Sequence, residues 1–179
     1  MRPGDIITHS FEEIVERLPI IDEEGRLHPF VKAAYERGIN FDVGHGGAGF
    51  WFSQAIPAYQ QGLVPNSFGT DLHRFSMNSG MKNMLNVMSK FINIGMNVEE
   101  VIEKASWKTA QAIHREDLGH LSVGAVADLT LLRLLQGDYG FIDAGKKKIK
   151  GKYKLETELT IKDGKVVYDL NGLAADKYH

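Results

Sequence analysis

Through its first 115 residues the chain alternates short apolar runs with longer segments at helical spacing. Asp5 to Thr8 reads as a strand, and Phe11 to Arg17 as a short helix before the turn Asp22-Glu23-Glu24-Gly25. Pro29 opens a helix and Gly38 closes it. Proline's missing N–H is not needed in a first turn, and glycine tolerates the left-handed exit. Ile39 to Val43 is the next strand. Ser53 is the expected cap of a helix that reaches Gln61 and stops at Gly62, and Ser67 to Thr70 is a third strand. Met81, Met84, Leu85, Met88, Phe91 and Ile92 then fall on one helical face that ends at Gly95. Asn97 and Glu100 have the spacing of a capping box before Val101 and Ile102. A last helix covers Ser106 to Ile113. This β-α rhythm predicts a parallel sheet with helices outside it.

After about residue 116 the pattern changes. Leu129 to Leu134 is apolar without helical spacing, and Leu155 to Leu159 alternates. Leu159–Ile161 and Val166–Tyr168 flank Lys162-Asp163-Gly164-Lys165, where Asp-Gly signals a hairpin. The expected organisation is a parallel α/β unit over residues 1–115, a small antiparallel β unit over 116–170, and a tail over 171–179.

Composition narrows the function classes. A chain of 179 residues with 43% apolar residues can bury a core. With 25% charged residues and a net charge of −2, it has no electrostatic reason to seek nucleic acid or an anionic membrane. The run Lys146-Lys147-Lys148, with Lys150 and Lys152, reads as a solvated loop. The opening Met-Arg-Pro-Gly-Asp lacks the pattern of a secretory signal, no apolar run approaches a membrane span, and the expected location is the cytoplasm. Cysteine is absent, so thiolate ligands and disulfides are excluded. Any metal must use His, Asp, Glu or a modified Lys, a donor set suited to zinc or manganese.

The candidate chemistry lies at three strand ends. His9 follows Ile6-Ile7-Thr8, His45 follows Phe41-Asp42-Val43-Gly44, and Asp71 follows Ser67-Phe68-Gly69-Thr70. In parallel α/β folds ligands gather where strands end. Two imidazoles and a carboxylate there can hold a divalent ion, and an ionised Asp can take a proton from metal-bound water. A lone His after a strand is usually a satisfied turn residue, so the order of the three ends carries more weight than any one of them. Gly44, Gly46, Gly47 and Gly49 imply a backbone that bends sharply or approaches a ligand closely. Gly46 and His73 are candidate substrate contacts, and His73 reads equally well as an exposed residue. The remaining histidines sit in turns or at the terminus. Phe50 to Phe52 and the Met77–Met96 stretch read as core before cofactor contacts.

The segment Gly119-His120-Leu121-Ser122-Val123-Gly124-Ala125-Val126-Ala127-Asp128-Leu129 resembles the G-x-L-x-x-G-x-x-A-D-L segment of the amidohydrolase superfamily. Thr160-Ile161-Lys162-Asp163-Gly164-Lys165-Val166-Val167 is similar to the closing hairpin of those enzymes, and the strand-end segments resemble the dihydroorotase-like deacetylase branch. The resemblance implies the second half of a TIM-type (β/α) barrel followed by part of a small β-sandwich. It implies that His9 and His45 are ligands of one or two divalent metals, from the fifth and sixth strands, and that Asp71 binds metal and shuttles the proton. A seventh strand then remains to be placed between His45 and Asp71. The implied reaction is hydrolysis of an amide, cyclic amide or acyl ester, with an acylated amino acid, hydroxy acid or cyclic amide as substrate. The family's His-x-His pair and bridging lysine have no counterpart here. The chain is therefore expected to begin near the fifth strand and either to meet a complementing chain or to self-associate through open sheet edges. The alternative is a truncated or split-gene product that keeps the fold without catalysis.

Overall fold

The computed structural model describes residues 1–178. It is a mixed α/β structure with two sheets. Strand β1 (Ile6–Ile7) is followed by helix α1 (Pro29–Glu36), strand β2 (Asn40–Phe41) and helix α2 (Phe52–Gln60). β1 and β2 pair in parallel, with Ile6 opposite Asn40 and Ile7 opposite Phe41. The parallel pattern continues as a bridge from Asp42 to Ser67. It is held by Asn66 N–H to Phe41 O (2.8 Å), Val43 N–H to Ser67 O (3.1 Å) and His45 N–H to Gly69 O (3.1 Å). The segment after Ser67 thus lies directly beside the segment that carries His45. No strand stands between them, where a seventh strand, short, degenerate or misassigned, is expected. His9 follows β1, His45 follows β2, and Asp71 follows the bridge at Ser67 beside β2.

Helix α3 (Met84–Asn93) is capped by Asn83, whose side chain accepts from Asn86 N–H. Helix α4 (Val98–Ala105) is capped by Asn97, which accepts from Glu100 N–H at 2.7 Å. Helix α5 (Trp107–Ala112) follows. Each asparagine satisfies a first-turn donor that has no partner within the helix. Two expectations fail in the first half. Phe11 to Arg17 is not helical, because Phe11 is buried, bridges to Phe50 and accepts from Trp51 N–H at 2.8 Å. Ser53 is not a cap, because α2 starts one residue earlier with Trp51 at its N-cap.

The second sheet is antiparallel, in the order β3 (Leu129–Ile142), β4 (Lys148–Lys162), β5 (Lys165–Asp169). β3 runs well past the apolar segment that announced it, and its register shifts near Leu131 and between Gln136 and Tyr139. The hairpin turn falls at Asp163 and Gly164, as Asp-Gly predicts. One core joins the parts. Phe11, Phe50, Phe68 and Phe91 pack edge-on or stacked at 4.8–6.1 Å between ring centres. Met81, Met88 and Met96 are buried beside them, and Phe141 and Leu155 reach in from the second sheet. The Met-rich stretch is core for these three, while Met77 stays exposed. Phe50 and Phe52 are also buried. Among the described residues the parallel strands form an open sheet, not a closed barrel.

Candidate active site

His9 and Asp71 come together where the parallel strands end. His9 Nε2 lies 3.8 Å from Asp71 Oδ2, and their side chains are 30% and 48% exposed, so the pair faces solvent. Both residues hold a left-handed backbone, with φ of 57° at His9 and 48° at Asp71. Such angles are uncommon outside glycine, although His and Asp are among the residues that accept them best. Two strained positions meeting side chain to side chain are typical of functional sites.

Hydrogen bonding assigns the tautomer of His9. Its Nδ1 contacts Gly44 O, and a carbonyl can only accept. Nδ1 therefore carries a proton, and Nε2 is the ring nitrogen that faces Asp71. A metal-binding histidine uses the same arrangement, with one nitrogen tied to a backbone carbonyl and the other free.

The glycine loop wraps this pair. A β-carbon at Gly46 would stand 2.5 Å from Asp71 Oδ2, and one at Gly49 would overlap the His9 ring and lie 2.5 Å from Gly44 O. Gly46 also has φ of 48° and donates from N–H to Thr70 O at 2.9 Å. Only hydrogen fits at these places, which is the close approach that the run of glycines predicted.

His45 is elsewhere. The structure does not bring it to His9 and Asp71, so the three-residue ligand set is not assembled. Its side chain is fully buried and stacks on Phe50 at 4.8 Å. Nδ1 lies 3.0 Å from Gly46 O and therefore carries the proton, while Nε2 accepts from Lys90 Nζ at 2.6 Å. Both ring nitrogens are committed, leaving none for an ion. Burial, with the charge of Lys90 adding to it, holds this imidazole down to about 3. Lys90 is also fully buried, and its second partner is Gly80 O at 2.9 Å. Burial brings its amine down to about 7, against an opposing pull from Asp143.

His73 lies on the loop after Asp71. Its Nδ1 accepts weakly from Phe75 N–H at 3.3 Å, and its backbone N–H donates to Ser76 Oγ at 2.9 Å. Two contributors were not singled out in the sequence. Asp42 accepts from Thr8 Oγ–H at 2.8 Å and Ser67 Oγ–H at 2.7 Å, tying the three strand ends together. Lys90 sits between Ser89 and Phe91 on α3, and nothing in helical spacing distinguishes it from a solvated lysine. A cavity of about 690 Å3 lies away from this site. It lies between α3 and the second sheet, near Lys82, Tyr139, Lys154 and Tyr168.

The amidohydrolase family description matches residues 54–167. The chain belongs to the amidohydrolase family. This amidohydrolase chain is 37% identical over 142 residues to a deacetylase of Brucella anthropi, covering 79% of itself and 35% of that protein. It superposes on a crystal structure of an adenine deaminase with a TM-score of 0.89 at 29% identity, covering 95% of itself and 46% of that chain. It superposes on a crystal structure of a dihydroorotase with a TM-score of 0.83 at 31% identity, covering 94% of itself and 46% of that chain. The amidohydrolase chain thus spans about a third to a half of the length of the relatives it matches. Amidohydrolases are typically metal-dependent. No group of three or more His, Cys, Asp or Glu side chains that could hold an ion is found among the described residues. His9 Nε2 and Asp71 Oδ2 lie 3.8 Å apart, two donors of the kinds that hold a divalent ion. As placed, His45 does not fit.

Proposed function

We infer that this chain carries the His9–Asp71 side of a metal-dependent hydrolytic site that cleaves amide, cyclic amide or acyl ester bonds. The observation that carries the reading is His9 Nε2 facing the Asp71 carboxylate at 3.8 Å, with Gly46 and Gly49 packed against the pair. The names of the relatives, a deacetylase, an adenine deaminase and a dihydroorotase, support a substrate with a carbon–nitrogen or acyl bond, such as an acylated amino acid, a hydroxy ester or a cyclic amide. The strand-end architecture supports reading residues 1–115 as part of a (β/α) barrel wall and 116–170 as part of a β-sandwich.

His9 Nε2 and Asp71 would hold the ion, zinc by preference and manganese as the alternative. The bound ion supplies Lewis acidity and lowers the pKa of a coordinated water to about 7. The remaining steps belong to the chain. Asp71 accepts the proton of the attacking water at its solvent-facing carboxylate and returns it to the leaving nitrogen or oxygen. The Gly44 carbonyl keeps His9 in the tautomer that presents Nε2. Gly46, lacking a side chain, leaves room for substrate beside Asp71, and His73 follows two residues later on the same loop.

The test is zinc titration of the chain, with metal retention measured by elemental analysis and hydrolysis assayed on N-acetyl amino acids, O-acetyl hydroxy acids and a dihydropyrimidine ring. His9→Ala and Asp71→Ala are expected to abolish zinc retention. Zinc binding that both variants leave intact would overturn the reading. Zinc binding that depends on both residues, with no hydrolysis of any of these substrates, would support the second reading, a chain that keeps the fold and acts with a complementing one.

A further inference from the structure

Lys90 and His45 are buried polar groups that the reaction does not use, and burying them has a cost that something must offset. Three observations connect them to the site. First, the donor path runs one way. Gly46 O can only accept, so His45 Nδ1 is protonated, Nε2 is bare, and Lys90 is the donor at 2.6 Å. Second, the Gly44–His45 peptide is held at both ends. His45 N–H donates to Gly69 O at 3.1 Å, and the Gly44 carbonyl in the same peptide contacts His9 Nδ1. Third, the residue on the other side of His45 is Gly46, the wall against Asp71 Oδ2. The His45 ring thus hangs from the Cα that joins the peptide touching His9 to the residue that walls Asp71.

We propose that Lys90 is a positioning residue: through His45 it locks the Gly44–Gly49 loop, so that His9 presents a bare Nε2 beside Asp71. The assignment rests on the reading of His9 and Asp71 as the hydrolytic pair. Lys90 itself touches neither substrate nor ion. It is closed to solvent, with Nζ on Gly80 O at 2.9 Å and 5.5 Å from the centre of the Phe50 ring on which His45 stacks. In this arrangement the Nε2 of His45 is taken by the Lys90 amine from the helix behind it.

The experiment uses the whole chain labelled with 15N at histidine and lysine, and zinc as the probe. In the unsubstituted chain, long-range proton–nitrogen correlations are expected to show Nδ1–H with bare Nε2 for both His9 and His45, and a Lys90 Nζ proton slow to exchange. In Lys90→Met the His9 ring is expected to become a mixture of tautomers, and zinc affinity to fall about 10- to 100-fold, the usual loss when a ligand's supporting partner is removed. A folded Lys90→Met chain with His9 still in one tautomer and zinc affinity within about twofold would overturn the proposal. If Lys90→Met does not fold, the unsubstituted chain decides. A protonated His45 Nε2, or a Lys90 amine exchanging like a surface lysine, overturns the proposal, and the opposite result upholds it. The tautomer readout needs no metal. If His9→Ala leaves zinc binding unchanged, the hydrolytic reading fails while the positioning of His9 by Lys90 is still tested.

Discussion

His45 Nε2 and Lys90 Nζ meet at 2.6 Å in the closed interior beneath the glycine loop, and both groups prefer to be neutral there. Two bases with lowered pKa values make stability depend on pH in one direction. Between about pH 7 and 10.5 the unfolded chain keeps a proton on Lys90 that the folded chain has released, so stability rises with pH across that window. Between about pH 3 and 6.5 the unfolded chain binds a proton at His45 that the folded chain refuses, so stability falls as pH falls. Urea midpoints measured across both windows are expected to show the two slopes. Lys90→Met should flatten the alkaline one and His45→Gln the acid one. Unchanged slopes in the variants would mean that other groups carry them.

Gly46 should not accept even a methyl group. In Gly46→Ala the new carbon would press on the Asp71 carboxylate at a backbone angle that alanine resists. The expected loss of stability is more than about 1 kcal/mol, accompanied by weaker zinc binding. Gly62→Ala makes the control, because it has the same kind of backbone angle with nothing near its β-position. Equal behaviour of the two in zinc binding would remove the role given to Gly46.

Asp42 holds the strand ends in register through Thr8 and Ser67. Asp42→Ala leaves two hydroxyls without their acceptor, for an expected loss of about 1–3 kcal/mol by chemical denaturation. It should also lower zinc affinity, although Asp42 is no ligand in this reading. Asp42→Asn keeps an acceptor and is expected to recover part of both. An alanine variant with full zinc affinity would separate the register from the site.

β1 pairs with β2 on one side, and Ile6 and Ile7 are 39% and 37% exposed. Among the described residues nothing pairs with its other side. An apolar open edge invites another strand, so the purified chain is expected to self-associate as its concentration rises. Ile7→Lys should shift it toward monomer in light scattering. A monomer at all concentrations before substitution would end that expectation.

Much of this was legible in residues whose neighbours are local. Asn83 was missed as a cap, but Asn97 announced its helix because a cap and its target lie within one turn. Asp163-Gly164 announced its hairpin for the same reason, and the apolar face from Met81 to Ile92 located α3. The errors lie where distant residues decide. Phe11 has a helix-compatible neighbourhood, yet Phe50 takes its backbone into a bridge. His45 has the sequence surroundings of a ligand, and only the fold shows that α3 delivers an amine to its free nitrogen. The order His9, His45, Asp71 was readable, but pairing of Asp42 with Ser67 was needed to show that their segments lie side by side. His9 and Asp71 became a pair only through backbone angles that no local pattern specifies.

Helix α3 works as a strut loaded at both ends. Toward the core it presents Lys90. Toward the second sheet Asn93 accepts from Lys152 and Tyr153 N–H at 2.8 and 3.1 Å and donates to Tyr153 O at 2.7 Å, while Ser89 Oγ accepts from Leu155 N–H at 2.9 Å. Gly151 lets β4 lie this close, since a β-carbon there would stand 2.7 Å from Asn93 Cγ. Ser89 and Lys90 are adjacent, and a helix advances only about 1.5 Å per residue. The residue that holds β4 and the residue that holds His45 are therefore neighbours on the same helix. The two sheets of the chain thus meet on adjacent residues of one helix.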